Sequence, residues 1–144
     1  MAVAVAYLAH AARSRSEVER QLLSRGVDAE LTEQTLATLA ERGYVDDDAL
    51  AERRAEEPML RRGSGRLKVA HELTRRGLTD TVIDRAIAGV LEDRSEVALG
   101  RAALERRFGK QPPASRSERA KAFRFLMGRG HPADIVNEIL GEDD

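Results

Sequence analysis

The chain has 144 residues, 34% of them charged, with a formal net charge of −1 and no cysteine. That length suits one domain or a short array of repeats, and it buries a core without disulfide or metal staples. The absence of cysteine excludes disulfides, thiolate catalysis and cysteine-ligated zinc.

The first predicted helix covers Ala2 to Ala12. Its apolar run, Ala2-Val3-Ala4-Val5-Ala6-Tyr7-Leu8-Ala9, is shorter than the about 20 residues that cross a bilayer. It has neither the positive start nor the cleavage site of a secretory leader. It reads as a core helix, and the protein as cytoplasmic with no membrane contact. Ser16 and Glu19 have capping-box spacing and open a second helix with Val18 and Leu22 on one face. A third follows through Leu31, Leu36 and Leu39. Asp46 caps the next, placed over Asp47 to Arg54, with Asp47 and Asp48 at the positive end of its dipole. Pro58 ends or kinks that helix. Arg61-Arg62-Gly63-Ser64-Gly65 then reads as a flexible connector. Val69 and Leu73 mark a fifth helix. Thr79 opens a sixth, which carries Val82, Ile83, Ala86, Ile87 and Val90. Asp93 with Glu96 starts a seventh over Glu96 to Arg106. After the loop Gly109-Lys110-Gln111-Pro112-Pro113-Ala114-Ser115, Ser115 with Glu118 starts an eighth, and a last helix follows Gly130. No alternating β-branched run suggests a strand.

Leu22-Leu23-Ser24-Arg25-Gly26, Leu73-Thr74-Arg75-Arg76-Gly77 and Leu126-Met127-Gly128-Arg129-Gly130 share one pattern: Leu, three residues, then Gly preceded by Arg. The glycines are 51 and 53 residues apart. Five residues beyond them stand Leu31, Val82 and Ile135, and ten beyond stand Leu36, Ile87 and Leu140. A helix ending at a left-handed C′ glycine, followed by a helix packing back on it, accounts for the pattern. Matches in register at several positions outweigh coincidence in an Ala/Leu/Arg-rich chain. The predicted fold is all-α: three tandem three-helix repeats, residues 1–45, 46–92 and 93–144, forming a short curved array.

No residue pattern points to catalysis. His10, His71 and His131 occupy unrelated positions of the repeat and have no metal-ligand spacing. The cluster Asp46-Asp47-Asp48 lacks the alternate ligands of a calcium loop and reads better as a helix start. Gly63-Ser64-Gly65-Arg66 precedes a helix, as a phosphate cradle does, but has no Gly-Lys-Ser/Thr ending and no strand before it. The chain is read as a non-enzyme without cofactor or metal.

Charge is unevenly distributed. Between Asp28 and Glu57 stand ten acids and three arginines; between Arg101 and Arg129 stand nine Lys/Arg and two acids; the tail Glu142-Asp143-Asp144 is acidic again. Arg61, Arg62, Arg66, Lys68, Arg75 and Arg76 form one basic group. Arg106, Arg107, Lys110, Arg116, Arg119, Lys121, Arg124 and Arg129 form a second. As clusters they suggest one basic face that meets phosphates or an acidic protein groove, against the plainer reading of a solvated helical surface. Aromatic residues are only 3% of the chain, which argues against specific single-strand binding by stacking. Phe123 and Phe125 fall in a helical segment and read as core.

Several segments resemble one family in order along the chain. Arg15-Ser16-Glu17 with Leu22 and Gly26 resembles the opening of RecX-family regulatory proteins. Arg42-Gly43-Tyr44-Val45-Asp46-Asp47 resembles their Gly-Tyr, aliphatic, two-acid motif. Glu72-Leu73-Thr74-Arg75-Arg76-Gly77-Leu78 and Phe125-Leu126-Met127-Gly128-Arg129-Gly130 resemble two later family motifs. The chain departs from the family at Asp48-Ala49-Leu50, at Ala55-Glu56-Glu57-Pro58, and at His131, where Phe is common. Gly26, Gly43, Gly77 and Gly130 are then structural corners, with Tyr44 a half-buried anchor, and Asp46 and Asp47 the next helix start. The resemblance implies a regulator that binds the filament of the RecA recombinase on DNA and inhibits its ATPase and strand exchange; nothing in the sequence suggests obligate assembly, so a monomer is expected. The basic residues Arg61, Arg62, Arg66, Lys68, Arg75, Arg76, Arg116, Arg119, Lys121, Arg124 and Arg129 would be contacts, with single- or double-stranded DNA as a further partner. The alternatives are a nonspecific DNA-binding protein and a helical scaffold for another protein.

Overall fold

The computed structural model describes residues 1–141; the acidic tail Glu142-Asp143-Asp144 lies outside them. The described residues form α1 (Ala2–Leu8), α2 (Arg15–Ser24), α3 (Ala29–Glu41), α4 (Asp47–Arg61), α5 (Arg66–Arg75), α6 (Asp80–Leu91), α7 (Glu96–Phe108), α8 (Arg116–Gly128) and α9 (Ala133–Leu140), and no strand. They group in threes. α2 packs on α1 and α3, α4 on α5 and α6, and α7 on α8 and α9. The all-helical, three-by-three reading of the sequence is therefore the observed fold.

The shared Leu-to-Gly motif is a helix stop made of backbone hydrogen bonds. Gly26, Gly77 and Gly130 have φ of 84°, 82° and 91°. The N–H groups of Val27, Leu78 and His131 donate back to the carbonyls of Leu22, Leu73 and Leu126 at 3.1, 3.3 and 3.2 Å. The glycine N–H groups donate to Leu23, Thr74 and Met127. This is the paired bonding of a left-handed C′ glycine, which satisfies carbonyls that the helix leaves open. The same leucines are buried. One residue therefore sets both the core position and the turn. In the return helices, burial falls six residues after each glycine, at Thr32, Ile83 and Val136, whereas Leu31, at the fifth position, is half exposed.

Val18, Leu22, Leu36, Leu39 and Val45 make the first core; Leu50, Met59, Val69, Leu73, Ile83 and Ile87 are among those making the second. In the third unit Ala103, Ala122, Leu126 and Val136 are buried.

Several local expectations need correction. α1 stops at Leu8, not Ala12. The capping box at α2 is formed by Ser14 and Glu17, two residues before the expected pair. Ser14 is preferred because its hydroxyl also donates to the Arg76 carbonyl, an acceptor that Ser16 does not serve. α7 is capped by Ser95, whose hydroxyl reaches the Ala98 N–H, and not by Asp93 two residues earlier. Pro58 does not end α4, which runs on to Arg61. Its ring removes one donor, whose helical acceptor would be the carbonyl of exposed Arg54. The Pro58 carbonyl in turn takes the N–H groups of Arg62 and Ser64. Tyr44 is 62% exposed. The anchor at that corner is buried Val45, because Gly43, with φ of 75°, turns the chain so that Tyr44 points outward.

Candidate partner-binding face

The positions of the charged side chains follow from the two joints between units. At the first joint, buried Ser14 accepts the Glu17 N–H and donates to the Arg76 carbonyl at 2.7 Å. The Arg76 guanidinium reaches back to the Ala12 carbonyl at 3.3 Å and to Glu17 at 3.1 Å. Asp47 accepts the Arg15 N–H at 2.8 Å. Burial alone would raise the Glu17 pKa, but bonds from Ser14 and the neighbouring Arg76 charge outweigh it, so its carboxyl titrates below the ordinary range.

At the second joint, Gly63, Ser64 and Gly65 are buried, so this segment is an interface and not a flexible connector. Gly65 N–H donates to the Arg129 carbonyl at 2.8 Å, and Leu67 N–H to the Gly130 carbonyl at 3.0 Å. Those are amides that a phosphate at the start of α5 would need, and both are occupied. The Arg129 side chain donates to the Arg62 carbonyl, and Arg66 pairs with Glu96 at 3.3 Å.

His131 closes this joint. Its Nε2 lies 3.0 Å from the Gly63 carbonyl, which only accepts, so Nε2 carries the proton. Gly100 leaves room for the ring: a Cβ there would lie 3.5 Å from Nδ1 and 2.5 Å from Ile139. Burial pushes the His131 pKa below the ordinary imidazole value; the Gly63 bond and Glu96 oppose this, and Arg129 reinforces it. The unfolded chain thus takes up this proton first as pH falls. The stability that neutral His131 provides is complete above about pH 6.5 and is lost as pH drops from there toward the folded pKa. His131→Phe should flatten this dependence, as judged from urea midpoints at about pH 7.5 and about pH 5.5. An unchanged pH slope in the variant would sink the assignment.

The joints use up several of the cations expected to meet a partner. Arg76 and Arg129 tie units together, Arg66 is paired with Glu96, and Arg62 pairs with Glu57. Arg119 donates to the carbonyl of Leu140 at 2.6 Å and to that of Gly141. Among the described residues, Arg61, Arg75, Arg116, Lys121 and Arg124 are exposed and Lys68 half-buried, and none of these six makes an ion pair or side-chain hydrogen bond. The second joint also brings the two basic groups together. Lys68 lies against Gly130, where an added Cβ would sit 2.4 Å from the lysine Cβ.

The outer side of α8 carries a hollow of about 560 Å³ lined by Arg116, Arg119, Ala120, Phe123 and Arg124. Phe123 is 38% exposed and is not core. Phe125 is half-buried, edge-on to Phe108 at 5.5 Å. Sequence reasoning missed Arg53 and Arg54, which line a smaller hollow of about 180 Å³ with Arg62 and Arg76. Arg54 stands eight residues before Arg62 and Arg53 eight before Arg61, and that helical spacing was the available signal. Asp46, Asp47 and Asp48 are each engaged, by the Ala49 N–H, the Arg15 N–H and the Arg85 side chain. Among the described residues no helix is long and apolar enough to cross a membrane.

Three family models match successive parts of the chain: the first three-helix domain of RecX over residues 1–39, the second over 46–87 and the third over 95–140. The regulatory protein RecX of Halorhodospira halophila is 38% identical, covering 98% of this chain and 86% of its own length. That of Chlorobaculum tepidum is 33% identical, covering 97% and 88%. The crystal structure of RecX from Lactobacillus salivarius superposes with a TM-score of 0.80 at 22% identity, over 95% of this chain and 89% of its own. With three domains matched in order and relatives aligned over nearly its whole length, the chain belongs to the RecX family of regulatory proteins.

Proposed function

We propose that this protein binds the RecA–DNA filament and inhibits recombinase ATPase and strand exchange, acting in the cytoplasm as a monomer without a cofactor. The reading rests on one observation above all. In a chain of this family, Arg61, Lys68, Arg75, Arg116, Lys121 and Arg124 are left without an internal partner, while Arg66, Arg76 and Arg129 are spent on the joints and Arg62 and Arg119 on contacts within their own units. An extended basic surface of weak contacts suits a repeating acidic partner, since several simultaneous contacts multiply into avidity without a deep pocket.

The direct test is DNA-dependent ATP hydrolysis by the cognate recombinase with substoichiometric amounts of this protein. Inhibition at low ratios is expected; full activity beside folded protein would sink the proposal. Charge reversal should be placed on the free cations and not on Arg76 or Arg119. Arg61→Glu with Arg75→Glu, and Lys121→Glu with Arg124→Glu, should each raise the concentration for half-inhibition about tenfold, equivalent to about 1.4 kcal/mol, with helicity unchanged by circular dichroism. Unchanged inhibition in both double variants would remove the basic face from the mechanism.

The same cations support nonspecific DNA binding as a second reading. It predicts affinity for naked DNA that falls steeply with salt, and salt-insensitive or undetectable binding would exclude it.

A further inference from the structure

A second hollow, of about 380 Å³, opens between the end of α7, the Pro112–Pro113 loop and α8. Its lining includes Leu104, Phe108, Pro112, Pro113 and Ala122, together with Lys121. Phe108 and Lys121 also border a neighbouring depression with Arg107 and Arg124, and Arg124 continues into the hollow on the outer side of α8. The three depressions therefore form one track in which apolar walls alternate with cations. Phe108 is 44% exposed on this track.

Two observations favour a protein segment over a nucleic-acid strand. The Phe108 ring is already covered by the Arg107 guanidinium, 4.9 Å from its centroid, and held edge-on to Phe125. It serves as a wall for an apolar group more readily than as a platform for base stacking. In addition, Glu118 lines the hollow with its carboxylate fixed by the Ala114 N–H at 2.7 Å, a negative charge in the path of a phosphate chain. A peptide can set one apolar side chain in the hollow and place its acids on Lys121, Arg107 and Arg124, leaving Glu118 uncontacted.

We infer that the α7–α8 track binds an acidic protein segment carrying a bulky apolar anchor, with the anchor between Phe108 and Pro112 and the acids on the flanking cations. This deepens the proposed function, since it shares Lys121 and Arg124 with the partner-binding face and states the chemistry that those cations meet.

The test uses the full chain and a fluorescein-labelled peptide of Asp and Glu residues around a central Phe-Leu pair, followed by anisotropy. Binding is expected, weakened about tenfold when Phe-Leu is replaced by Ser-Ser, and weakened similarly by Lys121→Glu and by Pro112→Asp. Both substituted residues are exposed, so a matching thermal melt separates lost binding from lost fold. Equal binding of the Ser-Ser peptide would reduce the site to general charge attraction and overturn the proposal. So would binding of a single-stranded oligonucleotide but not the peptide, or indifference to both substitutions. No recombinase is present in this assay, so the track and the inhibition of RecA can fail independently.

Discussion

Replacing Gly130 by alanine should cost on the order of 3–5 kcal/mol, because backbone strain and a clash fall on one residue. Gly130 has φ of 91°. A Cβ there would lie 2.4 Å from the Lys68 Cβ and 2.5 Å from the Lys68 nitrogen. Backbone cannot swing aside as a side-chain tip can, so the second joint must open. The bonds from Gly65 to Arg129 and from Leu67 to Gly130 would lengthen with it. Gly26 is the internal control. Its φ is 84°, but no atom lies within 4 Å of the added Cβ. Gly26→Ala should therefore cost only the conformational strain, about 1–2 kcal/mol. Urea unfolding of the two variants side by side tests the difference, and equal costs would show that the close approach at Lys68 contributes nothing.

Arg76→Ala should be the most damaging change among the basic residues, at about 2–3 kcal/mol. It removes hydrogen bonds to Ala12 and Glu17 and leaves the Glu17 carboxylate, whose side chain is 20% exposed, without its counter-charge. Glu17→Gln should cost less, since the amide oxygen still accepts from Ser14. A double-mutant cycle on the pair should show coupling of about 1 kcal/mol or more at neutral pH. The sign of its pH dependence follows from Glu17. A carboxyl whose folded pKa lies below its ordinary 4.5 contributes stability above that value and loses it as pH falls through the folded pKa. The coupling should therefore vanish in acid. Coupling that persists below that range would mean that packing of the arginine stem, and not its charge, holds the joint.

The helices were legible because local rules decide them. Apolar residues three and four apart, with Asp46, Thr79 and Ser115 as caps, are short-range signals, and the structure uses each of those three caps. The repeated Leu-to-Gly turn was legible for the same reason, since both of its hydrogen bonds close within a few residues. The joints were not. Ser14 meets Arg76 across 62 positions, and His131 meets Gly63 across 68. No local pattern marks a serine as buried or an arginine as already bonded. Arg76 and Arg129 therefore looked like partner contacts, although their guanidinium groups donate to carbonyls of a neighbouring unit. The exposure of Tyr44, Phe108 and Phe123 was not legible either. Composition counts rings but does not say which way they face.

The start of α5 has a consequence for the order in which the chain matures. Gly65 offers no side chain to cap this helix, and its N–H and that of Leu67 find their acceptors on Arg129 and Gly130. Those acceptors leave the ribosome 64 and 63 residues later, roughly 3–13 s at ordinary rates of synthesis. The first unit can close while translation continues. The second can gather its core, but the start of α5 stays incomplete until the third unit arrives.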